Sequence, residues 1–181
     1  MKVEETVSIV TGSSSGVGAA LVKLLAGRGG KVVVNYSRSA EAANQVAETC
    51  AALGAETLLC QADVSQDEDC RRMVSETLSK WGRLDVLVNN AGTTKFVQHG
   101  DLDGLSGDDF KHIYGVNVVG PFQMVRAARE ALKASGDASV VNVASIAGVK
   151  GVGSSIAYAA SKGALITMTQ SLARVLGPEI R

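Results

Sequence analysis

Short apolar segments alternate with longer helical patterns along the chain, and this alternation constrains the fold more than any other sequence feature. The apolar segments have the length and β-branched content of buried strands, and they occupy residues 7–10, 31–36, 57–61, 84–89 and 139–143. Helical spacing of apolar residues is found at residues 17–25, 40–53, 67–81, 108–134 and 157–176. Strands joined by helices pair in parallel through right-handed crossovers. The sequence therefore predicts an α/β fold, a doubly wound parallel sheet with helices on both faces.

Composition narrows the function classes. The chain has 181 residues without a repeat or linker, so residues 1–181 are predicted to form a single domain. Lys plus Arg and Asp plus Glu each number 18, and this balance argues against nucleic-acid or membrane-surface binding through net charge. Three cysteines without paired spacing and two histidines predict neither a disulfide set nor a metal site. Because no apolar run reaches membrane-spanning length, we expect a soluble cytoplasmic protein.

A glycine-rich segment, Thr-Gly-Ser-Ser-Ser-Gly-Val-Gly at residues 11–18, directly follows the first predicted strand. A strand, a glycine turn and a helix in this order direct backbone N–H groups and a helix N-terminus toward a phosphate. Gly12 would allow the tight turn, Gly16 a close approach to the backbone, and Gly18 close packing of helix on strand. A turn with this Gly-x-x-x-Gly-x-Gly spacing can equally be a plain connector.

Candidate binding residues follow every predicted strand at its C-terminal end, which is where open α/β sheets bind their ligands. After the glycine-rich segment, these residues are Tyr36, Ser37, Arg38, Asp63, Val64, Asn90, Ala91, Gly92 and Ser145. A dinucleotide lying across this edge of the sheet would contact all five connections. The sequence therefore predicts a dinucleotide-binding domain.

Ser145, Tyr158 and Lys162 suit acid–base chemistry on a carbonyl group. Tyr158 and Lys162 are four residues apart in a predicted helix, which stacks the ammonium beside the phenol. A cation held there favours the phenolate and lowers the pKa of a Tyr from about 10 toward working pH. Ser145 follows the fifth predicted strand at the same edge of the sheet. The alternative is that Tyr158 and Lys162 belong to an ordinary amphipathic helix face.

In combination, these motifs resemble those of the classical short-chain dehydrogenase/reductase family, and most nearly its 3-oxoacyl-(acyl carrier protein) reductase-like members. The resemblance covers essentially the whole chain. Residues 11–18 are similar to the cofactor loop of the family, residues 89–92 to its sheet-stabilising Asn-Asn-Ala-Gly motif, and residues 158–162 to its Tyr-x-x-x-Lys pair. Ser145 stands where the family has its catalytic Ser, and Asn117 where it has the Asn of a catalytic tetrad.

The resemblance implies hydride transfer between C4 of a nicotinamide and the carbonyl or carbinol carbon of a small-molecule substrate. Tyr158 would give or take the proton of the substrate oxygen, and Ser145 would hydrogen-bond that oxygen. Lys162 would lower the pKa of Tyr158 and hold the ribose hydroxyls of the cofactor. Asn117 would bend its helix and hold a water that links Lys162 to solvent; alternatively, its side chain satisfies a helix carbonyl.

The second predicted strand ends without the acidic residue that NAD-type sites place there, and no acid follows until Glu41. This favours NADP(H) over NAD(H), with Arg38 as partner of the 2′-phosphate and Ser37 as a supporting donor. Against it, Ser15 stands where many NADP-using relatives have a basic residue, and Arg38 could be a solvated loop charge. The implied cofactor-binding residues are Gly12, Ser14, Ser15, Gly16, Val17, Gly18, Tyr36, Ser37, Arg38, Asp63, Val64, Asn90, Ala91, Gly92, Tyr158 and Lys162.

Two further expectations concern the whole molecule. Family members continue beyond residue 181 with further strands and a substrate loop, so we expect C-terminal strands of this fold to be missing. A non-catalytic dinucleotide-binding or interaction module is therefore the alternative to an enzyme. We also expect a homodimer or homotetramer formed through the two long helices, with entirely intramolecular use of their faces as the alternative. The small residues that would permit such helix pairing include Ala127, Ala128, Ala131, Ala164 and Ala173.

Overall fold

The structure is a computed structural model that describes residues 2–181, along which strands and helices alternate. A 3₁₀ turn at Val3–Glu5 precedes the first strand. The elements that follow are β1 (Val7–Val10), α1 (Gly16–Ala26), β2 (Lys31–Tyr36), α2 (Ala40–Ala52), β3 (Thr57–Gln61), α3 (Asp67–Trp81), β4 (Val86–Asn89), α4 (Gly107–Tyr114), α5 (Gly120–Ser135), β5 (Ser139–Asn142), α6 (Ala147–Lys150) and α7 (Ile156–Leu176).

The strands form one parallel sheet in the order β3-β2-β1-β4-β5. At its centre, Ile9 of β1 pairs with Val33 of β2 on one side and with Leu87 of β4 on the other. The chain winds outward from β1 in one direction and then returns to place β4 on the opposite side. This confirms the predicted doubly wound α/β fold and locates the switch in strand order between β1 and β4.

A hydrophobic core lies on each face of the sheet, and neighbouring residues of one strand contribute to different cores. Val33 packs in the core that α3 and α5 cover, whereas Val32 and Val34 pack in the core that α1 and α2 cover. Since side chains alternate between the faces of a strand, a strand buried on both sides is mostly apolar. This is why the strands appear in the sequence as short, mostly apolar runs.

The predicted helix at residues 108–134 is two helices, α4 and α5, separated by a turn of π-helix at Gly115–Val119. The turn coincides with Asn117, whose side chain bonds to a neighbouring loop instead of facing solvent. Gly120 begins α5 against Val64, and a Cβ at residue 120 would lie 2.7 Å from a Val64 methyl carbon. The apolar periodicity is continuous through this point, so the sequence pattern did not reveal the interruption.

The predicted fourth strand, residues 84–89, begins two residues later in the structure, at Val86. The Asp85 side chain instead bonds to the start of β1 and to Arg83. Its carboxylate accepts a hydrogen bond from the Val7 N–H at 2.8 Å and pairs with the Arg83 guanidinium at 2.6 Å. The fifth strand ends at Asn142, one residue before its predicted end. The short helix α6 was not predicted from the sequence, since four residues are too few to show a helical period.

The last residues of the chain extend the sheet edge. Ile180 forms an isolated parallel bridge with Ala138, and the Val140 N–H donates to the Arg181 carbonyl at 2.7 Å. Ile180 is buried in the α3–α5 core. Along residues 2–181, none of the helices combines the length and the apolar character that a membrane crossing requires.

Some of the small residues proposed for pairing between subunits serve the chain itself. Ala128 is fully buried, and Ala127 and Ala131 pack against the α3–α5 core. Ala164 is half-buried on α7, whereas Ala173 is exposed near its end. The three alanines of α5 therefore make contacts within the chain, and the oligomeric state stays a prediction.

Candidate active site

The glycine-rich loop joins β1 to α1 and lines a cleft at the C-terminal edge of the sheet. Gly12 has a φ of 63°, and a Cβ there would lie 2.8 Å from the Ala91 Cα, so both conformation and space exclude a side chain. Gly16 has a φ of 55° but faces open space, which leaves the backbone accessible to a ligand. Helix α1 begins at this residue without a side-chain cap on its free N–H groups. This arrangement fits an anionic phosphate.

Asn90 ties the end of β4 to this loop. Its Nδ2 donates to the carbonyls of Thr11 and Gly12 at 2.9 and 3.1 Å, and Thr11 Oγ1 accepts from the N–H groups of Asn90 and Ala91. Gly18 packs directly against this amide, since a Cβ there would lie 2.5 Å from Asn90 Nδ2. Gly18 therefore supports the loop from below, and the other predicted residues of the loop face the cleft.

The cleft has a volume of about 500 Å³ and runs past the C-terminal ends of β1 to β4. The predicted cofactor-binding residues that line it are Gly12, Ser14, Ser15, Gly16, Val17, Tyr36, Ser37, Arg38, Asp63, Val64, Asn90, Ala91 and Gly92. It is also lined by residues that the sequence analysis did not single out, namely Asn35, Ser39, Ala62, Thr93, His112 and Val116. The tertiary structure thus joins five separate parts of the chain into one continuous groove.

A second cavity, of about 480 Å³, continues the groove toward α7. It shares Asn90, Gly92 and Thr93 with the first cavity and adds Tyr158 and Lys162. Its outer wall includes Thr94, Phe96 and Ser154, and the Thr94 and Ser154 hydroxyls are 2.6 Å apart. The candidate acid–base pair and the glycine-rich loop therefore open onto a common groove.

Tyr158 and Lys162 lie on one face of α7, close to its N-terminus. The Ser155 hydroxyl caps the helix by accepting a hydrogen bond from the Tyr158 N–H. Lys162 is only 4% exposed, and its Nζ lies 5.8 Å from the centroid of the Tyr158 ring and donates to the Val143 carbonyl at 2.7 Å. Burial lowers the pKa of Lys162, because removal from water disfavours the charged form.

Ser145 lies just after β5 and is half-buried. Its Oγ accepts a hydrogen bond from the Ala147 N–H at 3.1 Å, at the start of α6. Helix α6 in turn packs tightly on α7: a Cβ at Gly148 would lie 2.5 Å from both the Gly163 nitrogen and the Lys162 carbonyl carbon. The position of Ser145 relative to α7 is therefore set by this glycine contact.

Asn117 is fully buried in the π-helical turn between α4 and α5. Its Oδ1 accepts from the Thr93 N–H at 2.8 Å, and its Nδ2 donates to the Thr93 carbonyl and to Ser161 Oγ, both at 3.0 Å. Ser161 Oγ donates onward to the Tyr158 carbonyl at 2.7 Å. Asn117 thus connects the loop after β4 to the first turns of α7.

The opposite end of the groove carries the candidate residues for adenosine. Arg38 is exposed, and among the described residues its guanidinium has neither an ion pair nor a hydrogen bond. The Asp63 carboxylate accepts from both the N–H and the hydroxyl of Ser65, so one of its oxygens is already engaged. Val64 is held in place by Gln123, whose Nε2 donates to the Val64 carbonyl at 2.8 Å.

Asn35 and Ser161 are the main structural contributors that no sequence pattern singled out. Asn35 is 2% exposed beneath the glycine-rich loop, and Ser161 is fully buried beneath Tyr158. A signal for Asn35 was present, since it is a lone amide in an apolar strand that ends in Val-Val-Val-Asn-Tyr. A buried amide requires hydrogen-bond partners, and these are supplied by residues distant in sequence.

Comparisons with known proteins agree with this geometry. The family model described as short chain dehydrogenase matches residues 6–181. A protein of Streptomyces violaceoruber named as a ketoacyl reductase of the granaticin polyketide synthase is 46% identical over 178 residues, which are 98% of this chain and 70% of that protein. Among solved structures, a short-chain dehydrogenase/reductase from Burkholderia xenovorans matches with a TM-score of 0.95 and 46% identity, covering 97% of this chain and 74% of that one.

A crystal structure of NAD⁺-bound xylitol dehydrogenase matches with a TM-score of 0.90 and 30% identity, over 97% of this chain and 67% of that one. Similar proteins thus include one named for ketoacyl reduction and one bound to NAD⁺. With the family model matched over nearly its whole length, the chain belongs to the short-chain dehydrogenase family of oxidoreductases.

Proposed function

We propose that the chain forms the cofactor-binding and catalytic part of an NADP(H)-dependent carbonyl reductase of the 3-oxoacyl reductase type. One observation carries this proposal: the buried Lys162 lies beside Tyr158 on a groove that continues to the phosphate-type loop at Gly16. A lysine is rarely buried unless its ammonium group has a partner, which here is the Val143 carbonyl. When bound, the nicotinamide cofactor supplies the hydride.

The roles proposed for the side chains follow from their positions. Tyr158 transfers the proton of the substrate oxygen, and Ser145 donates a hydrogen bond to that oxygen as negative charge develops. Lys162 has two N–H groups besides the one that bonds to Val143, and these serve the cofactor ribose. Asn117 holds the loop and helix between which the proton path runs.

The choice of NADP(H) rests on charge at the end of β2. Arg38 is a guanidinium without a protein partner among the described residues, at the end of the groove where Ser37 also lies. Arginine binds phosphate through a planar, bidentate geometry, and it would meet the 2′-phosphate here. An NAD-type site binds the free ribose 2′-hydroxyl through an Asp or Glu at this position. The sequence has no carboxylate between Tyr36 and Glu41, so this partner is missing.

The proposed substrate is a small ketone or secondary alcohol, and the similarity to a ketoacyl reductase favours a β-keto compound. Phe96 on the outer wall of the Tyr158 cavity is 85% exposed, which suits an apolar substrate body. The loop that carries it is held by the Val97 N–H, which donates to the Ser154 carbonyl at 2.9 Å. We further propose that the protein assembles as a homodimer or homotetramer.

Oxidation of NADPH with a generic β-ketoester tests the proposal. The wild type is expected to turn over, and Tyr158→Phe to lose activity by about 100-fold or more while NADPH affinity changes little, since only the proton donor is removed. Binding of NADPH without turnover of any ketone would instead favour the non-catalytic module. Turnover that survives in Tyr158→Phe would show that another group transfers the proton.

A further inference from the structure

Asn35, at the end of β2, uses its whole side-chain amide to join two parts of the groove. Its Oδ1 accepts a hydrogen bond from the Gly12 N–H at 2.8 Å. Its Nδ2 donates to the carbonyls of Cys60 and Ala62, at 3.2 and 3.1 Å. The residue is 2% exposed, so these bonds form out of contact with bulk water.

The backbone of Asn35 reinforces the same link. The Ser13 N–H donates to the Asn35 carbonyl at 2.9 Å, and the Asn35 N–H donates to Ser13 Oγ, also at 2.9 Å. The glycine-rich loop is therefore bonded to the end of β2 by three hydrogen bonds that involve one residue. Asn35 therefore bonds both to the loop that follows β1 and to the backbone at the C-terminal end of β3.

The two regions joined in this way lie at different parts of the groove. Gly12 belongs to the loop proposed to hold the pyrophosphate, and Ala62 directly precedes Asp63 and Val64 at the proposed adenosine end. An amide combines an acceptor and two donors in one rigid plane, which a carboxylate, a hydroxyl or a methyl group does not. The contacts of Asn35 thus require this residue type, and its role in the groove follows from where its partners lie.

We propose that Asn35 is a positioning residue that sets the distance between the pyrophosphate-binding loop and the adenosine-binding end of the groove. It touches neither substrate nor reacting atoms, and it acts by preorganising two half-sites for one dinucleotide. The inference rests on the proposed function only in naming that ligand. A dinucleotide gains affinity over its fragments when both half-sites are held at the correct separation.

Titration of the wild type and Asn35→Ala with NADPH and with adenosine 2′-monophosphate, which lacks the 5′-phosphate, tests this role. In Asn35→Ala we expect NADPH affinity to fall by about tenfold or more, as expected for lost preorganisation, and affinity for the monophosphate by less than about twofold. Asn142→Ala is the matched control: Asn142 is also an amide at a strand end, bonded to Asn89 and Thr169. It should leave the ratio of the two affinities unchanged.

Equal losses of affinity for NADPH and for adenosine 2′-monophosphate would overturn the proposal, because Asn35 would then act within the adenosine half-site alone. An unchanged affinity for NADPH would also overturn it. If Asn35→Ala does not fold, Asn35→Asp replaces it: the acceptor for Gly12 remains, while both donors to β3 are lost. The same selective loss of NADPH affinity is expected from this variant.

Hydrogen exchange of the Gly12 amide separates this inference from the proposed function. The amide should be protected in the wild type and exchange at least about tenfold faster in Asn35→Ala, with the Ile9 amide unchanged as internal reference. If the wild type bound no dinucleotide, the proposed function would fail, while exchange at Gly12 would still test the anchor. Unchanged protection of Gly12 in Asn35→Ala would show that Asn35 does not hold the loop.

Discussion

Individual charged residues of the groove differ in how they are held. Lys162 is buried and bonded to the Val143 carbonyl, whereas Arg38 projects from the end of β2 into solvent. A buried cation has a fixed position and a perturbed pKa, which suits proton chemistry. An exposed guanidinium is free to close on a phosphate, which suits ligand discrimination. The two cations are therefore suited to different tasks at the two ends of one groove.

The role of Arg38 predicts a selective effect on cofactor binding. In Arg38→Ala, the dissociation constant for NADPH should rise about 10- to 100-fold, the value of one or two charged hydrogen bonds, while that for NADH stays unchanged. Reduced-nicotinamide fluorescence measures both. Arg28→Ala, an exposed arginine after α1, is the control and should alter neither. Parallel weakening of NADPH and NADH would contradict a contact with the 2′-phosphate.

At the level of elements, the contact between α6 and α7 brings together the segments that carry the candidate catalytic residues. Gly148 of α6 and Gly163 of α7 bring the two backbones together, with the Gly148 carbonyl 3.1 Å from where a Cβ of residue 163 would stand. Ser145 lies two residues before α6, and Tyr158 and Lys162 lie on α7. A tight glycine contact therefore fixes the spacing between the backbones next to the proposed hydrogen-bond donor and the proposed acid–base residue.

Gly148→Ala should separate these helices. The added methyl group would clash with the backbone of α7, costing about 1–3 kcal/mol of the free energy of unfolding, as overpacking does. Displacement of Ser145 and of the α7 backbone at Lys162 should lower kcat by about 10- to 100-fold. Urea unfolding and steady-state kinetics check these effects. Gly107→Ala, where no atom lies within 4 Å of the added carbon, should change neither quantity.

The N-terminus of α4 is closed by a capping box that also anchors the loop before it. Ser106 Oγ accepts from the Asp109 N–H, and the Asp109 carboxylate accepts from the Ser106 N–H. The Lys95 ammonium lies 2.8 Å from the same carboxylate. The bond from Lys95 and those from Ser106 lower the pKa of Asp109 from 3.8 to about 2.

The lowered pKa of Asp109 predicts in which direction the stability of the protein changes with pH. Because the folded state keeps Asp109 ionised down to pH about 2, its contribution to stability is complete above pH 3.8 and is lost as the pH falls toward 2. The free-energy difference between the wild type and Asp109→Asn should therefore shrink across this window in urea unfolding. Asp108→Asn makes the same charge change outside the capping box. A difference that grows on acidification would refute the assignment.

For the molecule as a whole, the order of strands decides where ligands bind. The helices that follow β1 and β4 pack on opposite faces of the sheet, and the groove runs past the C-terminal ends of these two strands. Apolar side chains remain exposed on the far side of α5, where Val119 and Phe122 are 45% and 43% exposed. The centroid of the Phe122 ring lies 5.6 Å from the Arg126 guanidinium. A charged side chain placed at residue 122 could also contact this guanidinium.

This surface predicts the outcome of a measurement of oligomeric state. If the long helices pair between subunits, light scattering after size-exclusion chromatography should give two or four chains per particle for the wild type. Phe122→Glu should shift the protein toward the monomer, because a charge would be buried at the interface. Leu53→Glu, at a residue 52% exposed at the end of α2, is the control. A monomeric wild type would contradict pairing.

Sequence alone determined the features that depend on local order. The two-sided burial of the strands produced apolar runs such as 32–34, and the helical period revealed Tyr158 and Lys162 on one face. The glycine-rich loop was recognisable because its conformation requires glycine at Gly12 and Gly16. Residues close in the sequence supply the physical cause of each of these features, so each leaves a readable pattern.

Only the tertiary structure decided the features that depend on distant partners. The amide of Asn35 finds Gly12 across 23 positions, and that of Asn117 finds Ser161 across 44. The π-helical turn around Asn117 and the contact of Gly148 with α7 likewise exist only after the sheet has formed. Hydrogen bonds and close contacts form between groups that are near each other in space. Because these groups can be any number of positions apart in the sequence, they leave no regular sequence pattern.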